Sequence, residues 1–417
     1  MKIIHGDCLE ELKRLDDNSV DAVITDPPYG LSNTKPQQVA DVLAAWVTGD
    51  TVSVPAKRGG FMGKDWDSFV PPPAVWEECM RVLKPGGHMA VFAGARTQDL
   101  MGLSIRLAGF EIRDTLGWIY GSGFPKSMDV SKAIDKAAGA EREITQRATR
   151  ELVQGDAISF DQRSSKERER RDIPATSEAQ QWDGWGTALK PAIEPIILAR
   201  KPLDGTVANN VLAHGVGGLN IDACRVHSED APEGRTRHGG GIPGNGSSYE
   251  LPDVRPASPA GRFPANVLLD EHAAKEMDEQ SVGTRAEKPS KSGKTGATVQ
   301  GATWKIWHTP GEEIAGYNDS GGASRFFPVF KYQAKAPKKE RPVIEREDGT
   351  KIQHPTVKPV ALMEWLVELI TPPGGTVLDP FAGSGTTLQA AINKGFTPIG
   401  IEQDAGYIKL INKRLGR

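Results

Sequence analysis

VLDPFAGSGTT (residues 377–387) opens on the end of a short strand-like run, TVLD, and leads into a helix-like segment, TTLQAAINK. Gly383 and Gly385, two residues apart, allow a tight turn from strand to helix and let a ligand approach the backbone closely. A Walker phosphate loop needs GxxxxGK followed by Ser or Thr, and no Lys stands here. The dinucleotide fingerprint wants a third glycine at the position of Leu388. The loop therefore suits a nucleoside cofactor better than a pyrophosphate. Glu402 ends the next apolar run, TPIGIE, 19 residues after Gly383, where a carboxylate takes the ribose diol in dinucleotide folds. Taken alone, the glycine pair reads equally as a ligand-free tight turn.

The residues around this loop alternate strand and helix patterns. HPTVKPVALMEWLVELI reads as a loop entering an amphipathic helix, TVLD and TPIGIE as strands, TTLQAAINK and DAGYIKLINKRL as helices. The N-terminal part does the same: MKIIHGD, CLEELKRL, VDAVITD followed by a polar loop, HMAVFAG, TQDLMGLSIRLAGF and EIRDTLGWIY. EPIILARK (194–201) adds one more strand. Such alternation predicts βα units around a parallel sheet. In between, residues 139–184 are charge-dense, 228–262 are rich in Gly, Pro and Ser, and 280–303 are polar, so all three read as loops or insertions. NNVLAHGVGGLNIDACRV, RFPANVLLDEHAAKEM and ASRFFPVFKY keep strand or helix character, which predicts a second, smaller domain spliced between two halves of one sheet.

The 417 residues exceed one compact domain of typical size, so a catalytic body with insertions is expected. Charged residues at 25% and hydrophobic ones at 38% are ordinary globular values. No apolar run is long enough to span a membrane and MKIIHGDCLEELKRL lacks the layout of a signal peptide, so a soluble, cytoplasmic protein without a membrane partner is expected. Cys8, Cys79 and Cys224 are too scattered for a disulfide framework and read as buried apolar groups. His214, Cys224 and His227 match no closed zinc spacing, so no metal is assigned. A net charge of -3 advertises no polyanionic partner, and any nucleic-acid contact must come from local basic patches. GTRAEKPSKSGKTG and KYQAKAPKKER are such segments, suited to phosphate contacts or simply to a solvated surface.

VDAVITD runs into TDPPYG (residues 25–30). Two prolines supply no N–H and fix their own φ, so the strand stops on a rigid backbone. Alone, this is a capped strand end with a surface tyrosine. Together, DPPY and DPFAGSGTT resemble the amino-methyltransferases of DNA, which use S-adenosylmethionine to methylate the exocyclic nitrogen of adenine or cytosine. HPTVKP fits that family's segment ahead of the glycine loop, and WGTALKPAIEPIILARKP is similar to phage-type DNA methylases. DPPY first and the glycine loop last resembles the family's beta order. The resemblance implies a Rossmann-like α/β methyltransferase fold with a circularly permuted, mostly parallel sheet and an inserted target-recognition region. It divides the chain into residues 1–138 (catalytic, with DPPY), 139–190 (insertion), 191–202 (catalytic strand), 203–335 (target recognition) and 350–417 (catalytic, cofactor-binding). The permuted order also predicts that the two ends of the chain lie close together.

The resemblance implies catalytic roles for Asp26, Pro27, Pro28 and Tyr29. It implies cofactor contacts from Asp7, from Thr356 and Lys358, from the loop residues Asp379, Pro380, Phe381, Ala382, Gly383, Ser384, Gly385 and Thr386, and from Glu402 and Gln403. The expected reaction is transfer of a methyl group from S-adenosyl-L-methionine to N6 of adenine in double-stranded DNA, on a base flipped out of the duplex. N4 of cytosine is the alternative target, and a non-catalytic DNA-binding module is the reading from another class. Methylation at cytosine C5 would need a Cys following a Pro, whereas Asp7, Glu78 and Ala223 precede the three cysteines. A homodimer and a cognate restriction endonuclease are the protein partners the resemblance allows. Trp182 and Trp185 in QWDGWG read either as aromatic wedges at DNA or as anchors of a loop on the core.

Overall fold

A computed structural model describes residues 1–32, 34–55, 67–121, 123, 127–144, 172–226, 261–281, 322–330, 340–345, 349 and 351–417. The chain divides into two compact units, Met1–Ile119 with Glu194–Arg417, and Tyr120–Ile193.

The strands are β1 (Lys2–His5), β2 (Val20–Thr25), β3 (Leu83–Phe92), β4 (Glu111–Ile119), β5 (Glu143–Ile144), β6 (Asp172–Ile173), β7 (Ile193–Arg200), β8 (Val267–Asp270), β9 (Val329–Phe330), β10 (Ile344–Glu345), β11 (Lys351–Ile352), β12 (Thr376–Asp379) and β13 (Thr397–Glu402). Among the described residues, nine of them form one sheet in the order β1-β13-β12-β2-β3-β7-β4-β8-β9. From β1 to β3 every neighbour is parallel, and β7 then runs antiparallel to β3. Strand β2 is buried at all six residues, as a strand covered on both faces must be. Its one charge, Asp21, is satisfied by Lys84 Nζ at 2.6 Å and the Thr376 N–H at 2.7 Å.

The core beside the sheet packs Val23, Met89, Val91 and Ile197 with Val75, Trp76 and Cys79 of the helix Pro73–Val82 and with Met101 and Ile105 of the helix Gln98–Leu107. Ile3 and Leu415 both pack against the cluster of Ala382, Leu388 and Ile411, so the first strand and the last helix, Ala405–Arg414, meet at one place.

Two sequence readings change. The stretch after TDPPYG is not all polar loop, because Pro36–Val47 forms a helix. Proline at its first turn presets φ, and Val42 and Trp46 are its buried stripe. The smaller unit is Tyr120–Ile193, whereas the structured pieces of 203–335 belong to the larger one. There β8 and β9 extend the main sheet beyond β4, with parallel pairing that a run such as VLLD does not specify.

Candidate active site

Four adjacent strands each deliver an acid at the same edge. Asp7 follows β1, Glu402 ends β13, Asp379 ends β12 and Asp26 follows β2. Phe92 at the end of β3 pairs with Ile196 near the start of antiparallel β7, which brings Glu194 to this edge too. Outside the carboxyl ends of such strands is where open α/β sheets bind ligands.

The glycine loop is shaped mostly by its own protein. Gly383 and Gly385 have φ of +52° and +79°, the left-handed region that favours glycine. A Cβ on Gly383 would lie 3.0 Å from His354 Nε2, and one on Gly385 would lie 3.1 Å from Ile411. The close approach expected from a ligand is thus made at these two atoms by side chains. Glu402 fixes the turn by accepting the Gly383 N–H at 2.8 Å and the Asp404 N–H at 2.8 Å. Arg414 donates to the Ser384 carbonyl at 2.7 Å and to the Glu340 carbonyl at 2.6 Å, fastening the loop to the last helix; burial lowers its guanidinium to about 10.

Burial pushes the Glu402 carboxyl up to about 7, against the stabilising N–H groups of Asp404 and Gly383. Burial also pushes Asp379 up to about 6, although Thr387 and Thr25 donate to it. A buried strand-end carboxylate poised near neutrality gains from hydroxyl donors, the chemistry a ribose diol offers, so the residues present fit a nucleoside cofactor.

The two motifs meet directly. Thr25 Oγ1 donates to Asp379 Oδ1 at 2.7 Å, linking the residue before Asp26 to the acid that opens the glycine loop, 354 residues away. Asp26 Oδ1 accepts the Tyr29 hydroxyl at 2.7 Å, and Oδ2 accepts Lys358 Nζ at 2.8 Å. Tyr29 is clamped along its backbone as well. Asp67 accepts its N–H at 2.7 Å and that of Gly30 at 3.0 Å, while Thr97 Oγ1 donates to its carbonyl at 2.6 Å. Gly30, at φ +67°, lies so near the backbone of Phe69 and Val70 that a Cβ would approach the Val70 nitrogen to 2.7 Å.

The other expected site residues fall into place unevenly. Pro27, Pro380, Ala382, Ser384 and Thr386 are buried, Pro28 and Phe381 are half-buried, and Phe381 leans on Trp76 at 6.3 Å between centroids. Asp7 caps the helix Cys8–Leu12, accepting from the N–H groups of Leu9 and Glu10. Thr356 and Gln403 are exposed, and the Gln403 carbonyl lies 3.1 Å from His5 Nε2. Lys358, expected at the cofactor, has its ammonium on Asp26. Asp67, Thr97, Glu194 and Arg414 were not singled out from the sequence; an acid opening the buried run of EPIILARK is the one signal among them.

Of the weaker signals, His214 pairs with Asp204 and Cys224 is buried against Trp365, while His227 lies outside the described residues. Trp182 and Trp185 pack on each other edge to face at 5.1 Å. GTRAEKPSKSGKTG and all of KYQAKAPKKER except Glu340 and Arg341 lie outside the described residues. Among the described residues, no helix is long and apolar enough to cross a membrane.

A family profile described as DNA methylase, N6_N4_Mtase, matches residues 20–413. The type II methyltransferase M.HindIII of Haemophilus influenzae is 25% identical over 437 residues, covering 99% of this chain and 94% of that protein. The DNA adenine methyltransferase YhdJ of Escherichia coli is 50% identical over 62 residues, 15% of this chain and 21% of its own. Among solved structures, the PvuII DNA methyltransferase (cytosine-N4-specific) superposes with a TM-score of 0.44 at 13% identity, covering 99% of this chain and 85% of that one. The profile takes in DPPY, the glycine loop and the strands that join them, and by that match the chain belongs to the N6/N4 DNA methylase family.

Proposed function

We propose that this DNA methyltransferase acts on N6 of adenine in double-stranded DNA, at a specific site, on a base flipped out of the duplex. The observation that carries the reading is the Thr25–Asp379 hydrogen bond, which sets the DPPY acceptors beside the glycine loop. S-adenosylmethionine, the methyl donor, supplies when bound a methyl group already activated by its sulfonium charge. Glu402 would hold the ribose diol of that donor, and the turn around Gly383 and Gly385 would seat it.

An exocyclic amine is a poor nucleophile because its lone pair is delocalised into the ring. Asp26 accepts one N–H of the target amine and the Pro27 carbonyl the other, turning the nitrogen toward tetrahedral geometry and aiming its lone pair. The prolines keep those two acceptors in fixed relation. Tyr29 offers a face on which the extruded base stacks. Asp26 orients the amine and does not serve as a strong base. Residues 203–335 supply target readout in this scheme, and the type II name of the Haemophilus relative supports a cognate endonuclease for this chain as well.

Aspartate at the first motif position favours adenine, since serine is commoner there in the cytosine N4 enzymes. Mass spectrometry of nucleosides from DNA treated with the protein and S-adenosylmethionine tests the assignment. N6-methyladenine is the expected product. N4-methylcytosine alone would overturn the choice of base, and no methylated nucleoside at all would favour a non-catalytic DNA-binding module.

A further inference from the structure

Asp26, Lys358 and Glu194 form a chain of three charges, two of which the scheme above leaves unused. Lys358 Nζ lies 2.8 Å from Asp26 Oδ2 and 3.2 Å from Glu194 Oε2, and donates to the Tyr29 hydroxyl at 3.0 Å. Its ammonium is flanked by the rings of Phe92 at 4.9 Å and Tyr29 at 5.3 Å, and the residue is 9% exposed. Burial alone would lower the lysine, but Asp26 and Glu194 outweigh it and hold the ammonium above its ordinary value, so it stays charged. Both partners are held in place. Pro359 follows Lys358 and caps the helix Val360–Ile370, and the carbonyl of Pro195, next to Glu194, accepts the Ala93 N–H at 2.9 Å.

In methyl transfer the amine lone pair forms the N–CH3 bond as the CH3–S bond breaks with its electron pair left on sulfur. The nitrogen then carries positive charge until its N–H proton passes to water. Negative charge fixed beside it stabilises the transition state without reorganisation. Asp26 paired with Lys358 alone would be neutral, whereas the three groups together carry one net negative charge. We propose that Glu194 is a positioning residue that shares Lys358 with Asp26 and so leaves Asp26 able to take the target amine while the cluster stays net negative. The proposal rests on the methyltransferase reading. The rival role for the same contacts is a structural tie between β7 and the HPTVKP segment.

Charge-balanced variants of the full chain separate the two. Single-turnover transfer of labelled methyl from S-adenosylmethionine to DNA gives the rate, and calorimetry with S-adenosylhomocysteine gives cofactor-site affinity. Glu194→Gln makes the cluster neutral and should slow transfer about tenfold or more with affinity unchanged. Adding Lys358→Met restores one net negative charge and should recover about tenfold over the single variant. A structural tie predicts the opposite, because the double variant loses both halves of it. Glu194→Gln within about twofold of wild type, or a double variant no faster than the single, would overturn the proposal. Should Glu194→Gln not fold, Glu194→Asp answers in its place: it keeps the charge and is expected to retain most of the rate, and a rate as low as that of Asp26→Ala would overturn the role. Wild-type protein that methylates no DNA would instead count against the functional reading itself.

Discussion

Asp26 is held by two donors, Tyr29 and Lys358, yet the loop around it has supports of its own in Asp67 and Thr97. Removing its carboxylate should therefore abolish methyl transfer and leave the glycine loop intact. Asp26→Ala is expected to bind S-adenosylhomocysteine as wild type does, and unchanged turnover would refute the orienting role. Glu402 makes a second claim at this scale. Its carboxyl is raised from 4.5 to about 7 by burial, so much of it is protonated just below neutrality. A ribose diol is best held by the ionised form, so S-adenosylhomocysteine affinity should rise about tenfold between pH 6 and 8 and then level off. Glu402→Gln should flatten that rise. For the free protein the sign reverses: the folded form holds the proton more tightly than the unfolded chain, so this stabilising contribution is present below pH 4.5 and lost as pH climbs through about 7.

Among the elements, the turn after β2 and the turn after β12 were both legible because each announces itself with residues of special backbone chemistry, proline in one and glycine in the other. What holds the first turn was not. Asp67 stands 38 residues from Tyr29 and Thr97 stands 68 away; the pairing of β2 with β3 brings in Thr97, which follows β3, while Asp67 arrives on the segment ahead of the helix Pro73–Val82. The helix Pro36–Val47 escaped notice for a related reason, since its polar first turn masks a stripe of only two buried side chains, Val42 and Trp46. Asp67 is buried, and in Asp67→Ala the N–H groups of Tyr29 and Gly30 lose their acceptor. The expected cost is about 2–4 kcal/mol of stability, read from urea unfolding. Methyl transfer should fall with it, because Tyr29 loses its fixed position, while affinity for S-adenosylhomocysteine should hold, because Glu402 and the glycine loop touch none of these groups. A matching loss of affinity would mean that the two turns are one cooperative unit.

At the scale of the whole molecule, the alternation of strands and helices predicted a parallel sheet, and order along the chain placed DPPY ahead of the glycine loop. Neither could say that β8 and β9 join the far edge, because a short apolar run does not name its partner strand. The sheet places β1 beside β13 and the last helix beside β1, with Ile3 and Leu415 on one apolar cluster. Spatial order at the site therefore does not depend on where the backbone is opened. Joining Arg417 to Met1 through a short Gly/Ser linker and opening the chain before Gly349 would put HPTVKP and the glycine loop first and DPPY after them. Gly349 is exposed, has φ +76° and, among the described residues, has no neighbour around its Cβ position, and it lies between the two-residue strands β10 and β11, so the cut falls outside both strands. Closing a short loop between ends already near each other costs little entropy. The permuted chain is expected to melt within roughly 5 °C of the original and to keep most of its methyl transfer. A permutant that folds but transfers no methyl group would show that continuity through residues 340–352 matters to the site, through the hold of Arg414 on Glu340 and of His354 over Gly383.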